Sequence, residues 1–277
     1  TWIILSVLLS VLSHISRAYR WLFMAEPLGY KPKLANSVMA VYSAYLINFT
    51  IPRAGEIARA SILTNYEGIP FDKGFGTIVA ERIADTIMLL LIICIALFLE
   101  FEFIYNFFVE KFNPSSVAAV GIVVVLLVFG VFFFIKKSNN QFAVKVKGFV
   151  NGLIEGALSI FKMKKKWAFI FHTVFIWVMY LSMFYVITMA LPELNNIPMA
   201  AVLIGFILAS FSIAATNGGI GSFPEAIVIA FLLFNLAEDP SRAFGWIMWS
   251  TQTLVIIIIG GLSLIYLPVY NRKKATL

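Results

Sequence analysis

Twice the chain breaks its apolar sequence with residues that a membrane helix does not carry through its middle. The first break reads Asn48-Phe49-Thr50-Ile51-Pro52-Arg53-Ala54-Gly55-Glu56-Ile57-Ala58-Arg59, and the second Ala215-Thr216-Asn217-Gly218-Gly219-Ile220-Gly221-Ser222-Phe223-Pro224-Glu225. Apolar segments flank both. Non-helical backbone in hydrocarbon leaves N–H and C=O groups without partners, so it persists only inside protein or beside a water-filled cavity. One such break in each half is the sequence mark of a transport site built from discontinuous helices.

The surroundings of the breaks fix the solvent. The chain is 61% hydrophobic and 13% charged, against about half and about a quarter in a soluble domain. A polytopic membrane protein follows, with little room for a soluble domain. The formal charge of +7 lies between apolar runs, which fits orientation and anionic-lipid contact and excludes a nucleic-acid partner. Cys94 sits in an apolar run, where a small buried residue is expected, and a single cysteine forms no disulfide or thiolate metal site within the chain. His14 and His172 have no neighbours at metal-ligand spacing, so core packing or a capped imidazole is expected of both and no metal. No phosphate-binding loop, dinucleotide fingerprint, HExxH or GxSxG motif is present, and no nucleophile–base pair, so neither a cofactor nor a catalytic residue is expected.

A span needs about 20 apolar residues. Apolar segments lie near 1–16, 34–50, 57–66, 76–99, 115–135, 167–191, 198–215, 224–237 and 243–268, three of them (34–50, 57–66 and 224–237) short. The opening run reads as a helix whose start, and that of an earlier helix, lies upstream of Thr1. Basic residues mark the 17–33 loop (Arg17, Arg20, Lys31, Lys33), the 136–166 loop and the tail (Arg272, Lys273, Lys274), which by the positive-inside rule face the cytoplasm together with the C-terminus. The 100–113, 191–197 and 237–242 loops are acidic and face out. Residues 34–75 then leave and return on the inner side, and 198–237 on the outer side. The expected fold is an all-α polytopic integral membrane protein, an inverted repeat with two re-entrant helix pairs. The alternative is that the short segments cross fully. One domain covers 1–277: a first repeat half at 1–112, a connecting span with a basic amphipathic segment at 113–166, and a second half at 167–277. The 141–161 stretch alternates basic and apolar residues and is expected to lie flat on the inner leaflet. Trp2, Trp21, Trp167, Trp246 and Trp249 read as interfacial anchors.

The charges at depth carry the functional reading. Arg53, Glu56 and Arg59 fall on one face if the segment after Pro52 is helical, and the amides at that helix start favour a phosphate. Ordinary ion pairs in a cytoplasmic loop are the alternative. Glu81, Arg82 and Asp85 open a span, with Arg82 spaced to pair with Asp85. Facing lipid they would cost about 8–10 kcal/mol even on the lenient insertion scale, so they face protein or water. They either hold an anionic headgroup and relay protons or clamp two helices together. Asn48 belongs to the same break as Gly55. Asn217, Gly218, Gly219 and Gly221 form either an anion nest or a tight turn. Glu225 either favours its helix N-terminus or serves as a proton or cation site.

Arg17-Ala18-Tyr19-Arg20-Trp21, Asn48 with Pro52-Arg53-Ala54-Gly55-Glu56 and Arg59, Glu81-Arg82-Ile83-Ala84-Asp85, and Gly218-Gly219-Ile220-Gly221 together resemble the lysylphosphatidylglycerol synthetase transmembrane-region family. This is the flippase-like membrane portion of the multiple peptide resistance factor and of free-standing relatives. The chain departs from the pattern at Asn217, where the family has proline, and in the three residues between Gly221 and Glu225. The resemblance implies movement of a phospholipid or polyprenyl-linked phosphate between leaflets of the bacterial cytoplasmic (inner) membrane, without aminoacyl transfer. Its partners would be membrane lipids with anionic or zwitterionic headgroups, and a lipid-modifying enzyme encoded elsewhere. The rival readings are a transporter of a small soluble anion and a scaffold that presents lipid to such an enzyme.

Overall fold

The computed structural model describes residues 1–102, 105 and 163–272. Eight α-helices form among them: α1 (Trp2–Ala25), α2 (Leu34–Thr50), α3 (Ala54–Glu67), α4 (Phe71–Leu99), α5 (Lys166–Thr188), α6 (Met199–Ala215), α7 (Ser222–Leu232) and α8 (Glu238–Tyr270). The regions containing α1, α4, α5 and α8 are long and apolar enough to cross a bilayer; α4, at 29 residues, is about 44 Å long. The described chain thus repeats one order: a long helix, a pair of shorter ones, a long helix. It is an all-α polytopic membrane protein. The connecting span expected at 115–135, the surface helix at 141–161, Lys273 and Lys274 lie outside the described residues.

Each short pair is a hairpin. The start of α2 and the end of α3 are held together by a hydrogen bond from Asn36 to Glu67, and Asn36 and Asn271 exchange two more at 3.0 and 2.9 Å. Lys165 bridges to Glu26 at 2.9 Å, and Lys73 lies over the Tyr30 ring. These contacts gather the end of α1, both ends of the α2–α3 hairpin and the start of α4 with the start of α5 and the end of α8. The gathered ends carry Lys31, Lys33, Lys73, Lys164, Lys165, Lys166 and Arg272. The opposite helix ends carry Glu100, Glu102, Glu193, Glu238 and Asp239. Glu238 and Asp239 fall in the first turn of α8, where the helix dipole favours acids.

The hairpins meet at their tips. Asn217 Nδ2 donates to the carbonyl of Phe49 at 2.9 Å, and Trp249 Nε1 donates to the carbonyl of Gly218 at 2.8 Å. A Cβ on Gly218 would stand 2.5 Å from the Phe49 ring. Two cores flank this junction. One packs Phe184, Phe206, Phe231 and Phe244 among α5 to α8, and the other packs Trp21, Leu63 and Phe169 among α1, α3, α4 and α5. Small residues let the helices close up, as usual in membranes where hydrophobicity alone does not drive helix association: a Cβ on Gly260 of α8 would lie 2.8 Å from the Tyr42 carbonyl of α2.

Three expectations are corrected. The 17–33 loop does not begin at 17: α1 continues to Ala25, and Arg17 and Arg20 are buried inside the fold at 3% and 0% exposure. A cation at the end of an apolar run resembles a topology signal, but here carboxylates on α4 hold it in the helix interior. Trp21 is no interfacial anchor, being fully buried with its Nε1 donating to Thr77 Oγ1 at 2.8 Å. Cys94 is exposed on the outer face of α4 rather than buried.

Candidate functional site

Five charged side chains are sealed together where α1, α3 and α4 meet. Arg17 Nη1 donates to Glu81 Oε1 and to Asp85 Oδ2, both at 2.6 Å. Arg20 Nη2 lies 3.1 Å from Glu81 Oε1 and from Asp85 Oδ1, and its Nη1 donates to Thr173 Oγ1 of α5 at 2.9 Å. Arg59 Nη1 of α3 donates to Glu81 Oε2 at 3.1 Å. All five are less than a tenth exposed. Glu81 and Asp85 point the same way because residues four apart in a helix share a face. Aromatic faces cover the cations: Phe169 over Arg20 at 5.3 Å and Trp21 over Arg59 at 5.7 Å.

Sequence reasoning missed Arg17 and Arg20 as members of this cluster, although a signal existed. Ser6, Ser10, Ser13, Arg17 and Arg20 repeat at spacings of four, three, four and three, and all are buried. A polar stripe at helical period through a span faces protein, not lipid.

Arg82 and Glu56 stand at the cluster's outer edge. Arg82 Nη2 donates to Glu56 Oε1 at 2.9 Å across α4 and α3, so its hydrogen-bonding partner is on the neighbouring helix and not Asp85. The pair is about half exposed on the arginine side. Both residues line two adjoining spaces. One is a narrow cleft of mixed lining, formed with Val41, Ala44, Tyr45, Asn48, Ile78 and Arg59, whose free volume of about 10 Å³ holds about one water. The other is an apolar groove on the face of α4, about 390 Å³, bounded by Phe75, Ile78, Val79, Ile83 and Ile87. Arg59 Nε and Nη2 and Glu56 Oε2 are buried without a hydrogen-bond partner among the described residues.

The first tip is shaped by Arg53, whose φ of 63° is left-handed, a conformation that costs a non-glycine residue energy. Its side chain is exposed and makes no ion pair among the described residues, so the structure separates Arg53 from Arg59. Asn48 Oδ1 accepts from the Gly55 amide at 2.7 Å, capping the start of α3. At the second tip Gly218, Gly219 and Gly221 all have positive φ. The Gly218 amide donates to the Thr216 carbonyl and the Gly219 amide to Thr216 Oγ1. Two amides of the expected nest are therefore already engaged within the turn. Glu225, in the first turn of α7, is ion-paired with Arg242, which also holds Glu238 at 2.5 Å. Asn217→Ala removes the tip-to-tip bond to Phe49 and is expected to cost about 1 kcal/mol, read as a fall of about 2–4 °C in the unfolding midpoint of the purified protein.

A model of the lysylphosphatidylglycerol synthase TM region matches residues 1–269. The chain belongs to this family. It is also 24% identical over 301 residues to a UPF0104 membrane protein of Methanocaldococcus jannaschii, covering 99% of this chain and 87% of that protein. No solved structure matches. The buried Glu81, Asp85 and Arg59 and the Gly218–Gly221 turn are thus features of a chain matched almost end to end by the membrane part of the synthase family.

Proposed function

We propose that the chain moves a phosphate-bearing lipid between leaflets, without catalysing a covalent step. The observation that carries this is the shared wall of the arginine-bearing cleft and the apolar groove. Glu56 and Arg82 line both, so a headgroup at the arginines and an acyl chain along α4 would occupy adjoining compartments. A small soluble solute would have no use for the groove. The two hairpins serve as re-entrant pairs of an inverted repeat entering from opposite faces, with halves at 1–112 and 167–277. The basic helix ends, the C-terminus with them, face the cytoplasm. Arg53, at the rim of the first tip, and Glu225, paired near the second, meet the headgroup on its way in or out. Asn217, Gly218, Gly219 and Gly221 keep the tips close enough to seal the path.

The cleft is too narrow for a headgroup while Glu56 holds Arg82, so loading parts α3 from α4 at that pair. Arg82→Ala removes a half-exposed ion pair whose loss costs stability about 1 kcal/mol or less. Translocation of a labelled phospholipid by the chain in vesicles is expected to fall about tenfold or more. Unchanged translocation at normal reconstitution would remove Arg82 from the path.

A further inference from the structure

We infer that the cleft binds one singly charged oxyanion, a phosphodiester or a phosphate monoanion, on the free edge of Arg59. The inference rests on the cleft being the substrate compartment of the proposed function. Around it four arginines, Arg17, Arg20, Arg59 and Arg82, face three carboxylates, Glu56, Glu81 and Asp85. One positive charge is left over among the described residues of this cluster, in a place where water does not screen it.

The geometry locates that excess. Arg17 and Arg20 each reach both Glu81 and Asp85. Arg82 is matched by Glu56. Arg59 has only Glu81, through Nη1, while its Nε and Nη2 have no hydrogen-bond partner among the described residues and its side chain lines the cleft. Nε–H and Nη2–H lie on one edge of the guanidinium and form the parallel fork that grips two oxygens of a phosphate or carboxylate. Trp21 covers the guanidinium face, so the buried, unpaired edge is what remains for the ligand. One anion there balances the cluster; a dianion would overshoot it.

The test measures binding, not transport, on the purified full chain in detergent. Three probes are compared: phosphatidylglycerol, diacylglycerol with the same acyl chains and no phosphate, and inorganic phosphate. Phosphatidylglycerol at about a hundredfold its Kd is expected to raise the unfolding midpoint by about 5–10 °C, and diacylglycerol to leave it unchanged. A matching rise with inorganic phosphate assigns the site to free anions; a rise with the lipid alone assigns it to a headgroup. Arg59→Gln removes the excess charge, so it is expected to abolish the response while unfolding no earlier than the wild-type chain without ligand. Arg59→Lys keeps the charge without the fork and is expected to weaken binding about tenfold, which keeps the question open to refutation if the glutamine variant does not fold. Equal shifts with phosphatidylglycerol and diacylglycerol, or a wild-type response in either variant, would overturn the inference. An oxyanion response in a chain that moves no lipid sinks the transport reading alone; lipid movement with no oxyanion response sinks this one alone.

Discussion

Glu81→Gln is expected to destabilise the chain by about 3–5 kcal/mol, the cost of leaving one side of a buried ion pair uncompensated. Among the described residues, Glu81 is the only one that touches Arg17, Arg20 and Arg59 together. Glutamine keeps the shape and one acceptor oxygen but leaves those three cations facing Asp85 alone. At about 2–4 °C per kcal/mol for a chain of this size, the unfolding midpoint in detergent should drop by roughly 6–20 °C, with reduced accumulation in the membrane. The effect has a sign that packing damage alone does not: adding Arg59→Gln to Glu81→Gln returns the cluster to its original net charge. The double variant should therefore be more stable than Glu81→Gln by itself, a coupling that a double-mutant cycle measures directly. If Glu81→Gln unfolds with the wild-type chain, water reaches the cluster and its charges are screened. Five buried charges are a poor device for stability, since well-packed apolar residues of similar volume often do as well or better. Their presence in a membrane span is better accounted for by a ligand that needs them.

Much of this arrangement could be read from residue order. The breaks at Pro52 and at Gly218–Gly221 were legible because backbone in hydrocarbon has no partner but itself, so any interruption is conspicuous. Glu81 and Asp85 were legible as inward-facing because a carboxylate cannot face lipid cheaply. The partners of those charges were not. Arg82 was matched to Asp85 by its spacing along one helix, whereas the chain crosses α4 with α3 so that Glu56 arrives first. Which helices cross, and at what height, is set by contacts far apart in sequence, such as Gly260 against Tyr42 and Trp249 against Gly218. Arg17 and Arg20 were hidden for a different reason: the same two cations at the end of an apolar run satisfy the positive-inside pattern and a buried ion pair equally well. Only the serine stripe preceding them separates the two.

Gly55→Ala is expected to abolish most of the proposed lipid translocation while the protein still folds. A Cβ at this position would stand 2.1 Å from the backbone carbonyl oxygen of Ala44 and 2.7 Å from the Asn48 side chain. The nearest obstacle is main chain, so no side-chain rotation relieves it and α3 must move away from α2. Overpacking of this kind costs about 1–3 kcal/mol, and the move stretches the bond from the Gly55 amide to Asn48, worth about 1 kcal/mol more. The functional loss should exceed what that cost implies, because the displaced segment carries Glu56 and Arg59 away from Arg82 and Glu81. The same separation shifts Phe49, whose carbonyl receives Asn217 from the opposite hairpin. Translocation of labelled lipid is expected to fall about tenfold or more at matched protein levels. Gly76→Ala in α4 provides the contrast, since a Cβ there meets nothing within 4 Å and φ lies outside the left-handed range. It should be neutral or stabilising by up to about 1 kcal/mol through helix propensity, with transport retained. Equal behaviour of the two alanine variants would mean that α2 and α3 do not approach each other at Gly55, and the tip that positions Arg59 would lose its structural basis.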